Sequence, residues 1–204
     1  VRRTLPALAG ALLSALLLAG CGGGSSAGDE AEFAGTVLDP PFEVDGQPLT
    51  DTSGAPYSLA DDTDKPLTLV FFGYTHCPDI CGLVMSNLTT GITQLAAQDR
   101  EQVEVVFVTT DPSRDDPAVL RDYLDQYADG YVGLTGPLDT ITAVGKPLGI
   151  AVEKGDKLPS GGYDVTHGTQ VIAIDGSDQA PVYWGHETSA AQYRADIEQL
   201  LSEA

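Results

Sequence analysis

The run Leu67–Gly73, LTLVFFG, constrains this chain more than any other stretch. It is continuously apolar and rich in β-favouring residues, so it has no face to give to water. Such a run reads as a strand buried on both sides. Val84, Leu88, Ile92, Leu95 and Ala96 then recur at helical spacing, and Val103–Thr109 (VEVVFVT) supplies a second buried strand. Asp116-Pro117 pairs a capping residue with a proline suited to the first helical position. Leu120, Tyr123, Leu124 and Tyr127 line the inner face of the helix it opens. Val132–Leu134 is a short strand, and Leu138, Ile141, Val144 and Leu148 mark a helix that Pro147 kinks or ends. Thr169–Asp175 and Pro181–Trp184 read as strands joined by the turn Gly176–Asp178. Ser189 and Gln192 form a capping box ahead of a last helix with Tyr193, Ile197, Leu200 and Leu201 inward. Residues 35–60 are expected to form short strands and turns, and residues 155–166 (GDKLPSGGYDVT) a Gly/Pro loop. Alternation of this kind predicts an α/β domain with a central sheet flanked by helices, made mixed by the final hairpin.

The first residues are not part of that fold. Arg2 and Arg3, an apolar run to Leu18 and then small residues make a secretion signal over 1–20. Leu18-Ala19-Gly20-Cys21 resembles a bacterial lipobox, which implies that Cys21 is lipidated and anchors the chain to the cell membrane. Residues 21–34 hold the lipidated cysteine and a Gly/Ser-rich, then acidic, tether. The domain, 35–204, is then expected on the extracytoplasmic side. A formal net charge of -20 over 204 residues excludes nucleic acid as a partner on electrostatic grounds and is read as a device for solubility.

With Cys21 assigned to the anchor, two cysteines remain: Cys77 and Cys81, in FFGYTHCPDICG directly after the first buried strand. The compartment permits disulfides, but a staple this short closes almost no loop. A cysteine loop between the first buried strand and its helix matches the thioredoxin architecture, with the site where the helix begins. Pro78 is expected at the first helical position. The positive end of the helix would favour a thiolate there. Positions i and i+4 share a helix face, about 6 Å apart at Cα. That is near the upper limit for a disulfide and comfortable for a metal bound between two sulfurs. Soft donors select copper(I), or zinc with more ligands.

A third ligand has to come from elsewhere. His76 adjoins Cys77 and is read as a turn residue; His186 is read as exposed. His167, just before the strand Thr169–Asp175, is either a loop histidine or that ligand. Met85 is read as core packing and Asp79 as a solvated helix-start carboxylate.

FFGYTHCPDIC, VTTDPSRDDP, YVGLTG and the histidine before TQVIAIDG together resemble the Sco/SenC family, from about Pro41 to the C-terminus. The resemblance implies a thioredoxin-like, membrane-anchored metallochaperone. It implies one copper, as Cu(I) or Cu(II), held by Cys77, Cys81 and His167. It also implies delivery to the dinuclear site of the copper-carrying subunit of cytochrome c oxidase. Thr166 stands where the family commonly has Asp, and Gly82 where it commonly has Pro. The second function the pair allows is thiol–disulfide exchange with protein partners, keeping the target cysteines reduced. A peroxidase lacks its arginine near this loop, and a copper store would need no delivery partner.

Overall fold

The computed structural model describes residues 33–157 and 163–204, and gives the backbone alone for 153–157 and 163–167. The signal segment, Cys21 and most of the tether lie outside the described residues.

Strand β4 (Leu67–Gly73) is buried at every position, as its unbroken apolar run requires. Two neighbours cover its edges. β5 (Val103–Thr109) pairs with it in parallel from Leu67↔Val103 to Gly73↔Thr109. β9 (Val171–Asp175) pairs antiparallel, with Phe71 opposite Val171 and Leu67 opposite Asp175. Around these run β6 (Val132–Thr135), β2 (Leu49–Asp51) and β3 (Pro56–Tyr57) on one side, and β10 (Gln179–Trp184) and β1 (Thr36–Glu43) on the other. The eight-stranded sheet has the order β1-β10-β9-β4-β5-β6-β2-β3 and is mixed, as the sequence predicts.

Alternation along the central strands feeds two cores. Leu69, Phe71 and Phe107 face helices α1 (Ile80–Thr93), α3 (Pro117–Leu124) and α5 (Ala190–Glu203), packing among Val84, Leu88, Leu120, Leu124, Tyr193 and Ile197. Val70, Phe72, Val106 and Val108 face the other way, onto Ile141 and Val144 of α4 (Leu138–Gly145). The short helix α2 (Ala97–Arg100) links α1 to β5. Asp116 caps α3 by accepting the N–H groups of Ala118 and Val119 at 3.0 and 2.9 Å, and the Ser189–Gln192 capping box opens α5.

Two expectations are corrected. Residues 155–166 are not a plain loop: β7 (Val152–Lys157) and β8 (Tyr163–His167) form a separate two-stranded antiparallel sheet. Tyr163, Val165 and the bulge between Lys154 and Lys157 carry a strand pattern that the surrounding Gly and Pro hide. α1 begins at Ile80, not at Pro78. Asp79, with φ -134° and ψ -86°, is not helical, so Cys77 lies in the turn before the helix rather than on it.

Candidate metal centre

The candidate centre grows from the end of β4. Gly73 ends the strand, and its carbonyl accepts the Thr110 N–H at 2.7 Å. The chain then turns through Tyr74, Thr75 and His76, and the Cys77 N–H donates to the Tyr74 carbonyl at 3.2 Å. That turn aims Cys77 at the first backbone groups of α1. The Cys81 N–H donates to Cys77 Sγ at 3.5 Å, one of the donors a helix leaves without an internal partner.

Neither cysteine is in a disulfide, and the two thiols differ in environment. Cys77 is half-buried, whereas Cys81 is 1% exposed. Burial works against a thiolate at Cys77. The Cys81 thiol and the N–H groups of Asp79, Cys81 and Ile80 outweigh it and hold Cys77 below the ordinary thiol value. At Cys81 burial dominates, the neighbouring sulfur adds to it, and the thiol is pushed far up. The expected pairing of the two sulfurs is therefore present, by a turn-to-helix route rather than along one helix face.

An aromatic wall closes one side. Phe71, Phe107, Tyr123 and Tyr127 follow one another with ring centroids 6.0, 5.3 and 5.2 Å apart. The Tyr127 hydroxyl donates to that of Tyr123 at 3.2 Å. It lies 3.8 Å from where a Cβ on Gly82 would sit. Burial first, then Tyr127 and the two sulfurs, raise the Tyr123 pKa. Met85 is fully buried in the core, as expected, and Asp79 is exposed without capping α1.

The remaining histidines are distinct. His76 is exposed in its turn, with Nδ1 2.9 Å from Thr75 Oγ1. His186 is 42% exposed, with Nδ1 3.3 Å from Thr169 Oγ1. His167 is the last residue of β8, its backbone opposite Val152. The Gly168 N–H donates to the Ala151 carbonyl at 3.2 Å, and Val171 then enters β9 opposite Phe71. The register thus returns the His167 segment to the sheet end from which the cysteine turn leaves. The His167 side chain lies outside the described residues. Among the described side chains no three of His, Cys, Asp or Glu cluster as a metal site, and no described helix is long and apolar enough to cross a membrane.

Two buried carboxylates stand behind the turn: Asp111, read from the sequence as a turn residue, and Asp115, which the sequence does not single out. Asp111 is 3% exposed, accepts the Ser113 hydroxyl at 2.5 Å and pairs with Arg114. The Arg114 guanidinium stands 5.9 Å above the Tyr74 ring. Asp115 is fully buried against Thr75 and Thr109. In DPSRDDP, both look like solvated turn residues; no periodicity marks an inward carboxylate.

The sequence model of the SCO1/SenC family matches residues 37–202. Among curated proteins, the mitochondrial protein SCO2 of Saccharomyces cerevisiae is 33% identical over 136 residues, 62% of this chain and 45% of that one. The mouse SCO2 homolog is 31% identical over 155 residues, 76% of this chain and 60% of that one. The chain thus spans about half the length of these curated relatives. The solution structure of apo Sco1 from Thermus thermophilus superposes with a TM-score of 0.73 at 28% identity, covering 84% of this chain and 97% of that one. Bradyrhizobium japonicum ScoI, solved with copper bound, gives 0.68 at 25% identity over 78% and 99%. The mixed sheet with its helices is the thioredoxin-like fold of those structures.

Proposed function

The chain belongs to the SCO1/SenC family, and from that premise we propose that it is an extracytoplasmic copper metallochaperone. It carries one copper ion, as cargo, between Cys77, Cys81 and His167, and hands it to the dinuclear copper site of cytochrome c oxidase. Cys21 carries the lipid that keeps the domain at the membrane. The reading draws support from the copper-bound ScoI structure that the fold matches.

The observation that carries it is the pair of reduced sulfurs beyond the end of β4, close enough that the Cys81 N–H reaches Cys77 Sγ at 3.5 Å. Two thiolates are soft donors that suit copper(I), and an imidazole nitrogen completes a three-coordinate set. The sulfurs lie against an apolar and aromatic core that excludes water. Cys77 is partly open to solvent, so an incoming ligand reaches it first. Copper passes by exchange of one sulfur at a time for a donor of the acceptor. Binding releases the thiol protons, so affinity rises with pH.

A competitive copper(I) titration tests this. The wild-type chain takes up one equivalent, and Cys77→Ala, Cys81→Ala and His167→Ala each lose affinity by about tenfold or more. Losses of only a few-fold in all three overturn the site.

A second reading has its own observation. A half-buried Cys77 with a lowered pKa beside a buried Cys81 with a raised one is the arrangement of an attacking and a resolving thiol. In that reading the pair reduces the two cysteines of the oxidase site: two electrons and two protons leave Cys77 and Cys81, which become a disulfide. A Cys81→Ser variant that traps a mixed disulfide through Cys77, with turnover unchanged in His167→Ala, supports it.

A further inference from the structure

We propose that Asp115 is the positioning residue of the cysteine pair, fixing the turn that aims Cys77 at α1. The inference rests on the reading of Cys77 and Cys81 as the working site.

Three donors converge on its carboxylate. Thr75 gives its N–H at 2.9 Å and its hydroxyl at 2.6 Å, and Thr109 gives its hydroxyl at 2.7 Å. Asp115 is 0% exposed, so water cannot replace any of them. Hydrogen bonds to a carboxyl group removed from water cannot be exchanged for solvent, and breaking one leaves a buried group unsatisfied. The platform beneath is held as well. The Asp115 N–H donates to the Asp111 carbonyl at 3.0 Å, its carbonyl accepts the Thr135 hydroxyl at 3.2 Å, and the Asp111 N–H donates to Thr109 Oγ1 at 3.0 Å. Through its carboxylate and its backbone carbonyl, Asp115 therefore ties β5, β6 and the residue two before Cys77 into a single network.

The network also reaches His76, whose Nδ1 lies 2.9 Å from the Thr75 hydroxyl oxygen. Asp115 stands 3.7 Å from that Nδ1. Without the carboxylate, Thr75 loses two of its bonds at once. The turn can then rotate, and the spacing of Cys77 Sγ from the α1 amides is no longer imposed. A residue that locks its neighbour in this way tunes a site without touching what binds there.

The test uses the full chain with three substitutions, each checked for its fold by circular dichroism. Two properties are read: copper(I) affinity by competition, and the Cys77–Cys81 dithiol–disulfide equilibrium against dithiothreitol, which needs no metal. Asp115→Ala is expected to lower copper affinity by about tenfold and to shift the thiol equilibrium by a similar factor. Asp115→Asn keeps one acceptor oxygen, which can serve two of the three donors, and is expected to fall between wild type and Asp115→Ala in both. A folded Asp115→Ala chain with wild-type values in both, or equal losses in Asn and Ala, overturns the proposal. If Asp115→Ala does not fold, Thr75→Val decides: it removes one bond and is expected to shift both readings by about threefold, and no shift overturns the proposal. A wild-type chain that fails to bind copper, with the thiol equilibrium still moved by Asp115→Ala, sinks the metallochaperone reading and leaves Asp115 in its role.

Discussion

The two halves of the candidate centre are built in different ways. The sulfur half hangs from β4, the strand buried at every position, and is tied down by Gly73, Tyr74 and the Asp115 network. The imidazole half ends β8, whose backbone pairs with β7 and, among the described residues, with no strand of the large sheet. It rejoins the body through Gly168 and the β9 register, and its partner strand β7 places Val152 in the core over α4. Folding the core therefore sets the sulfurs, whereas a short local ladder carries His167, the proposed third donor. Such a division would suit the proposed role, in which cargo is gripped and then released.

The largest effect expected from this contrast lies in the core beneath the sulfurs. Phe107 is fully buried and contacts both Phe71 and Tyr123. Phe107→Ala should cost about 3–5 kcal/mol in urea unfolding, and copper affinity should fall with it because the aromatic wall collapses. A loss of about 1 kcal/mol or less would mean that the sulfur half does not depend on the core for its shape.

Next in size is Thr109→Val. The swap keeps the side chain's shape and deletes the hydroxyl that donates to Asp115 and accepts from Asp111. One lost bond to a buried carboxylate should cost about 1.5–3 kcal/mol, again by urea unfolding. A neutral result would show that water or a rearranged turn satisfies Asp115, and the sulfur half would be less rigid than drawn.

How much of this was legible follows from the same contrast. The buried runs Leu67–Gly73 and Val103–Thr109, the Asp116 and Ser189 caps and the Cys77–Cys81 pair all announce themselves locally, through hydropathy, capping chemistry and spacing. Their register does not, because strand order is a long-range property: β9 reaches β4 from a hundred residues away. The β7–β8 hairpin was hidden because Gly, Pro and charged residues interrupt its sequence, so no apolar period stands out. The start of α1 was misplaced by the helix-favouring Pro78. The bonds that bend the chain there come from Asp115, far along the sequence and indistinguishable in type from the solvated Asp116 beside it.

The sulfurs themselves sharpen the comparison through pH. A lowered Cys77 pKa means that its thiolate persists below the ordinary thiol range, while burial keeps Cys81 protonated well above it. Alkylation by iodoacetamide at neutral pH should then label Cys77 first, with mass spectrometry locating the adduct. The rate should fall only when pH drops through the lowered Cys77 value, since the thiolate is the nucleophile. Equal labelling of both cysteines would erase the distinction between an open and a closed sulfur.

The smallest effect is the most discriminating. His167 ends a strand that lies outside the main sheet, so His167→Ala should change unfolding stability by no more than about 0.5 kcal/mol. The same substitution should lower copper affinity and remove the thiolate-to-copper absorption bands seen after copper(II) is added to reduced protein. Function and stability would then separate at His167, whereas at Phe107 they move together. If His167→Ala instead destabilises the chain by about 1 kcal/mol or more, the imidazole belongs to the folded core. The centre would then have no independently presented donor, and release would have to begin at Cys77, the only one of the two sulfurs partly open to solvent.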